Sequence, residues 1–172
     1  MIRGAKDLMN NEDKNILENL KFYKPELFKK EKLYFNDNND YVGLGWSHNF
    51  NKEGVWSEGE SSNLLFNLKT KEKIFFEMDI LPFLNKKNRE INITVLVNGK
   101  FNNNLSLKLD ENLATKKRQI IFEIKKENIN NDIINIEFIN KNPTSPFDLR
   151  LSPDSRQLNF LLLSFNFFSR DI

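Results

Sequence analysis

Three kinds of residue in this chain carry chemical potential, and they cluster. Residues 43–59, GLGWSHNFNKEGVWSEG, hold both tryptophans (Trp46, Trp56), the only histidine (His48) and four of the six glycines. Acyl-transfer chemistry needs a nucleophile, a base and an orienting group. Ser47 and His48 are adjacent, and adjacent residues on a strand point to opposite faces, so a triad needs a distant serine. Glycoside hydrolysis needs two carboxylates across a cleft. Glu53, Glu58 and Glu60 lie in or beside this window, and Asp154 is a fourth candidate. Recognition needs less: aromatic faces, a few polar groups and a backbone shaped by glycine. The window is read as a shaped loop presenting aromatic faces, with corner-filling core tryptophans as the alternative.

A second unusual stretch is residues 140–156, NKNPTSPFDLRLSPDSR, with three of the five prolines. Proline fixes φ and removes a donor, so this is an ordered connection outside any strand. Arg156 suits a bidentate pair with a carboxylate, either as a clip on the last strand or as a ligand contact.

The elements that must position these residues are strands. Residues 61–68, 73–80, 105–109, 119–124 and 133–138 are short apolar or alternating runs. In 91–97, Ile91, Ile93, Val95 and Val97 alternate, and Asn98-Gly99 follows at once as a hairpin turn. Lys32–Phe35 reads as a further short strand. Residues 158–168 are apolar on both faces, as in a central or doubly covered strand. The expected fold is all-β: an antiparallel β-sandwich of the jelly-roll type. Residues 1–30 read as a polar lead-in or linker with a short helix over 14–22, and residues 31–172 as the sandwich domain.

Composition narrows the function classes. A chain of 172 residues suits one domain. With no cysteine, disulfides, thiol catalysis and Cys-based zinc sites are excluded. A net charge of +2 with both signs interspersed argues against nucleic acid. No apolar run reaches a membrane span, and the first residues lack an apolar leader, so a cytoplasmic setting is expected. No cofactor motif is present. The turn-like Asp37–Asp40 lacks the glycine and distal glutamate of an EF-hand, which leaves a structural calcium open and assigns no metal ligand.

Both unusual stretches also fit a known pattern. Gly45-Trp46, Gly54-Val55-Trp56-Ser57-Glu58-Gly59, Val95-Leu96-Val97-Asn98-Gly99, Asn142-Pro143-Thr144-Ser145-Pro146 and Leu151-Ser152-Pro153-Asp154-Ser155-Arg156-Gln157-Leu158 occur in order across residues 33–168. In this the chain resembles a β-sandwich domain of largely unassigned function attached to, or encoded beside, bacterial glycosyltransferases for surface polysaccharides. It departs from the pattern at Arg150, where glycine is usual. The resemblance implies an accessory, carbohydrate-binding-like jelly roll, not a transferase, with a glycan as ligand and a glycosyltransferase as partner. The candidate ligand-binding residues are Trp46, Glu53, Trp56, Asn98 and Arg156. A docking domain that binds no sugar and a polysaccharide-modifying hydrolase are the alternative readings.

Overall fold

A computed structural model describes residues 23–33, 40–47, 53–69, 73–110, 112 and 117–170. The elements are β1 (Glu31–Lys32), β2 (Val55–Glu58), β3 (Ser61–Asn67), β4 (Ile74–Pro82), β5 (Glu90–Val97), β6 (Lys100–Lys108), β7 (Arg118–Ile124), β8 (Ile133–Ile139) and β9 (Leu158–Ser169). Among the described residues, one 3-10 turn, Lys126–Asn128, interrupts them.

The strands form two antiparallel sheets. One runs β1-β9-β4-β7, with β2 also on β9, and the other runs β3-β8-β5-β6. The pairs β5·β6, β4·β7, β3·β8 and β2·β9 are those of one long hairpin. Of the remaining pairs, β4·β9 and β5·β8 form where that hairpin winds on itself, and β1 adds to β9 outside the hairpin. A wound hairpin split across two sheets is the jelly-roll arrangement expected from the strand pattern.

The alternating runs set the inner faces. Ile91, Ile93, Val95 and Val97 are all buried, as are Ile74, Phe76, Met78 and Ile80 of β4. Phe66 meets Phe165 at 5.1 Å and Phe167 at 4.8 Å between ring centroids, so aromatic rings fill the space between the sheets. β9 is central, with β4 on one edge and β1 and β2 on the other.

Two sequence expectations need correction. Val55–Glu58 is a strand, although its glycine-rich surroundings read as loop. β6 begins at Lys100 rather than at residue 105, because its polar start, Asn102 to Asn104, hides a strand. Asn102 is the extra residue of a bulge opposite Val95 and Leu96, and its amide caps Glu123 O and Lys125 N instead of facing solvent. Part of the stretch before residue 31 contacts the sandwich. Tyr23 bridges Phe66 and stacks edge-on to Tyr41 at 4.9 Å, and Leu27 bridges Phe167, so residues 23–30 already pack on the sandwich. The helix expected over 14–22 and the turn at 36–39 lie outside the described residues.

Candidate functional site

The segment 41–47 stitches the two sheets together at one end of the sandwich. Its first half pairs with β3, through Gly43 N to Asn63 O at 2.9 Å and Asn63 N to Leu44 O at 3.0 Å. Its second half pairs with β2, through Ser47 N to Trp56 O at 2.9 Å and Glu58 N to Gly45 O at 2.8 Å. The switch falls at Gly45, whose φ is +85° and where a Cβ would lie 1.9 Å from Ser61 O. Only glycine passes there. Trp46 fills the corner, 8% exposed, with its indole N–H donating to Asn63 O at 2.9 Å and its ring edge-on to Phe160.

The connection 140–157 reaches the same end. Thr144 bridges Leu158 at its base, and Asn140 donates to the side chain of Asn159. Ser145 caps one helical turn: its hydroxyl accepts from Asp148 N at 3.0 Å, and Pro146 follows at the first helical position. Arg150 ends the turn with φ +59°. Leu151 N donates to Pro146 O at 2.8 Å and Arg150 N to Phe147 O at 3.0 Å, the two bonds of a Schellman motif. Arg150 therefore holds the left-handed conformation that glycine takes most easily, and it stands where the resembled pattern carries glycine.

The chain then turns through Asp154 to Arg156. The guanidinium donates to Asp154 through Nε at 3.0 Å and Nη2 at 2.8 Å, and through Nη1 to Ser47 Oγ at 3.2 Å. Ser47 Oγ donates to Glu58 Oε2 at 3.0 Å. These groups border an open pocket of about 500 Å³, lined by Gly45, Trp46, Glu58, Gly59, Ser155, Arg156 and Gln157. Gly59 has φ +79° and nothing within 4 Å of where its Cβ would be, so the pocket rim is bare backbone there. The hydrogen bonds from Arg156 hold the Asp154 carboxyl below the usual carboxylate range, and the same bonds raise Arg156. Asp154 is thereby kept ionised, the opposite of what a general acid near neutral pH needs.

The five candidate residues divide. Trp46 and Arg156 come together in the pocket. Trp56 lies two residues from Glu58 on β2, but its half-buried ring packs edge-on against Phe83 at 6.4 Å and does not line the pocket. Glu53 borders a separate cleft of about 340 Å³ with Lys30, Lys32, Asp79 and Lys117, on the outer face of the first sheet. Asn98 has a folding role: its φ is +52° in the hairpin turn, its Nδ2 donates to Asn128 O and Ile133 O, and its Oδ1 accepts from Asn135 N. Its amide is committed inside the protein and is not offered to the pocket.

Glu58, Ser155 and Gln157 complete the pocket and were not among those five. The signal for them was position: Ser155 and Gln157 flank Arg156, and Glu58 lies two residues beyond Trp56. Ser47, the neighbour of His48, is 3% exposed and already engaged by Glu58 and Arg156, while His48 lies outside the described residues. Among the described residues, no group of three or more His, Asp or Glu side chains is arranged to hold a metal ion.

No family model matches this chain. No curated protein matches it either. Among solved structures, it is similar to a family 6 carbohydrate-binding module whose binding sub-sites were dissected, at 11% identity over 87% of this chain and 100% of that one, with a TM-score of 0.47. It is also similar to CsCBM6-3 from Clostridium stercorarium in complex with cellobiose, at 9% identity over 86% and 98%, with a TM-score of 0.48. A family 35 carbohydrate-binding module from an environmental isolate gives 10% identity over 87% and 92%, with a TM-score of 0.43. At these identities and scores the likeness bears on neither ligand nor site.

Proposed function

We propose that this protein is a non-catalytic carbohydrate-binding module, an accessory to bacterial surface-polysaccharide synthesis, that seats a sugar in the pocket between Trp46, Glu58 and Arg156. The observation that carries this reading is the convergence of a carboxylate, a clamped guanidinium and bare glycine backbone on one open depression, beside the small accessible edge of Trp46. A sugar ring needs such a mixture, an apolar surface for its C–H faces and convergent donors and acceptors for its hydroxyls. Trp46 is 8% exposed, so apolar burial on its accessible edge contributes about 1 kcal/mol or less, and hydrogen bonds to Glu58, Arg156 and the glycine backbone carry most of the affinity. A few hydrogen bonds of about 1 kcal/mol each, set against association costs, lead to dissociation constants of about millimolar or weaker for a single sugar. The resemblance in the motif order supports the glycosyltransferase setting.

A glycan array probed with the wild-type protein and with Glu58→Gln tests the reading. Binding to a defined sugar class that falls at least about tenfold in Glu58→Gln supports it. Undiminished binding by that variant, or a blank array from folded protein, overturns it.

One observation favours the docking alternative. On the outer face of the first sheet, Phe75 and Phe168 stack at 5.3 Å and Arg170 lies over both rings, at 5.0 and 5.5 Å. Phe28, 67% exposed, extends this patch. Capture of a glycosyltransferase that Phe28→Ser abolishes would support it.

A further inference from the structure

The loop tip beside the pocket displays apolar side chains that folding does not require. Phe147 is 59% exposed and Leu151 is 49% exposed, and with Pro153 they flank a shallow depression of about 600 Å³. Such exposure on a floppy loop would mean little, but this tip is held at several points. The Ser145 cap and the Schellman bonds set its backbone. Lys87 Nζ donates to Leu149 O at 2.9 Å from the β4–β5 connection. Phe147 N donates to Asp154 O at 2.8 Å, and the side chain of the same Asp154 holds Arg156 at the pocket wall. The tip and the pocket are therefore two depressions on one braced loop, hinged on a single residue.

Resting on the reading of the pocket as a sugar site, we propose that Phe147 and Leu151 form a second subsite, on which the neighbouring sugar of a chain stacks. The ligand is then an oligosaccharide or polysaccharide stretch, not a single terminal sugar. The shelf has the required chemistry, an aromatic face and an aliphatic flank that suit the C–H side of a pyranose ring. It is already ordered, so stacking costs little conformational entropy. It is also small. One loop tip falls far short of the ~800 Å² that each partner of a stable protein complex contributes, whereas it matches one sugar ring.

The test measures affinity by calorimetry against glucose, galactose and N-acetylglucosamine oligomers of one to six units, with wild type, Phe147→Ala and Glu58→Gln. Phe147 is exposed, so its variant is expected to fold, and unchanged melting checks this. The expected result is wild-type affinity that rises about tenfold or more from one unit to two or three, the scale of covering one ring face. Phe147→Ala loses that rise and keeps monosaccharide affinity, while Glu58→Gln loses both. Affinity that is independent of length, or a rise that survives Phe147→Ala, overturns the second subsite and leaves the pocket reading standing. No binding to any oligomer overturns both. A protein partner lost in Phe147→Ala, with glycan binding intact, overturns the subsite and assigns the shelf to protein docking.

Discussion

Arg156 clamps Asp154, two residues before it, through Nε and Nη2 while its Nη1 reaches the buried Ser47. The backbone N of Arg156 also donates to Asp154 Oδ1 at 3.0 Å. One side chain thus joins the loop 140–157 to the segment that crosses between the sheets. The pair is partly exposed, so its direct contribution to stability is small. Its weight lies in pocket geometry.

Asp154→Asn should therefore cost binding more than stability. The carboxyl of Asp154 is held below the usual range by the Arg156 hydrogen bonds. A lowered folded-state value means the contribution is present above the unfolded carboxylate pKa of about 4 and is lost as pH falls through the folded value. Asp79 behaves alike. Burial works to raise it, but hydrogen bonds from Lys30 and Ser164, with the charges of Lys30 and Lys117, outweigh burial and lower it. Thermal melts from pH 6 to pH 2.5 should show stability falling below about pH 4, and Asp79→Asn should flatten that fall. A wild-type curve level to pH 2.5 would contradict this.

Gly45 and Gly59 both have positive φ, yet they should respond differently to alanine. At Gly45 the added Cβ meets backbone at 1.9 Å, whereas at Gly59 it meets nothing within 4 Å. Gly59→Ala pays only the left-handed conformation, about 1 kcal/mol. Gly45→Ala must also push the sheets apart, and should lower stability by more than about 3 kcal/mol or prevent folding. Urea denaturation of the two variants checks the difference.

Arg150 closes the helical turn at φ +59°. Arg150→Gly should be neutral or stabilising by up to about 1 kcal/mol, since glycine relieves the strain but loosens the unfolded chain. Arg150→Val, β-branched and poorly suited to positive φ, should cost about 1–2 kcal/mol. Equal melting temperatures for the two would show that the turn opens freely.

Asn98→Ala removes three side-chain hydrogen bonds to backbone in a buried turn. With unsatisfied groups at about 1–3 kcal/mol each, partly relieved by rearrangement, a loss of about 3 kcal/mol is expected. Sugar binding by the folded fraction should be unchanged. A stable variant that fails to bind would return Asn98 to the ligand site.

Much of the architecture was legible along the chain. Period-two alternation marked β5, and the two-residue Asn98-Gly99 turn set its pairing with β6, because these signals are local and strand periodicity states which face is buried. The apolar character of residues 158–168 on both faces marked a central or doubly covered strand, and β9 is the central one. The asparagine-rich start of β6 was not legible, since Asn102 is consumed by backbone groups that come from β7 only after folding. The site divided along the same line. Residue types named two special windows, and glycine, tryptophan, proline and arginine drew attention to them for sound conformational reasons. Which members of those windows meet was decided by the winding of the hairpin. That winding carries Ser155–Gln157 to the side of Gly45, Trp46 and Glu58, while it turns Trp56 toward Phe83 and leaves Glu53 on another face. Contacts between residues a hundred positions apart depend on strand order and on a bulge in the β2–β9 register, and neither leaves a mark in local sequence.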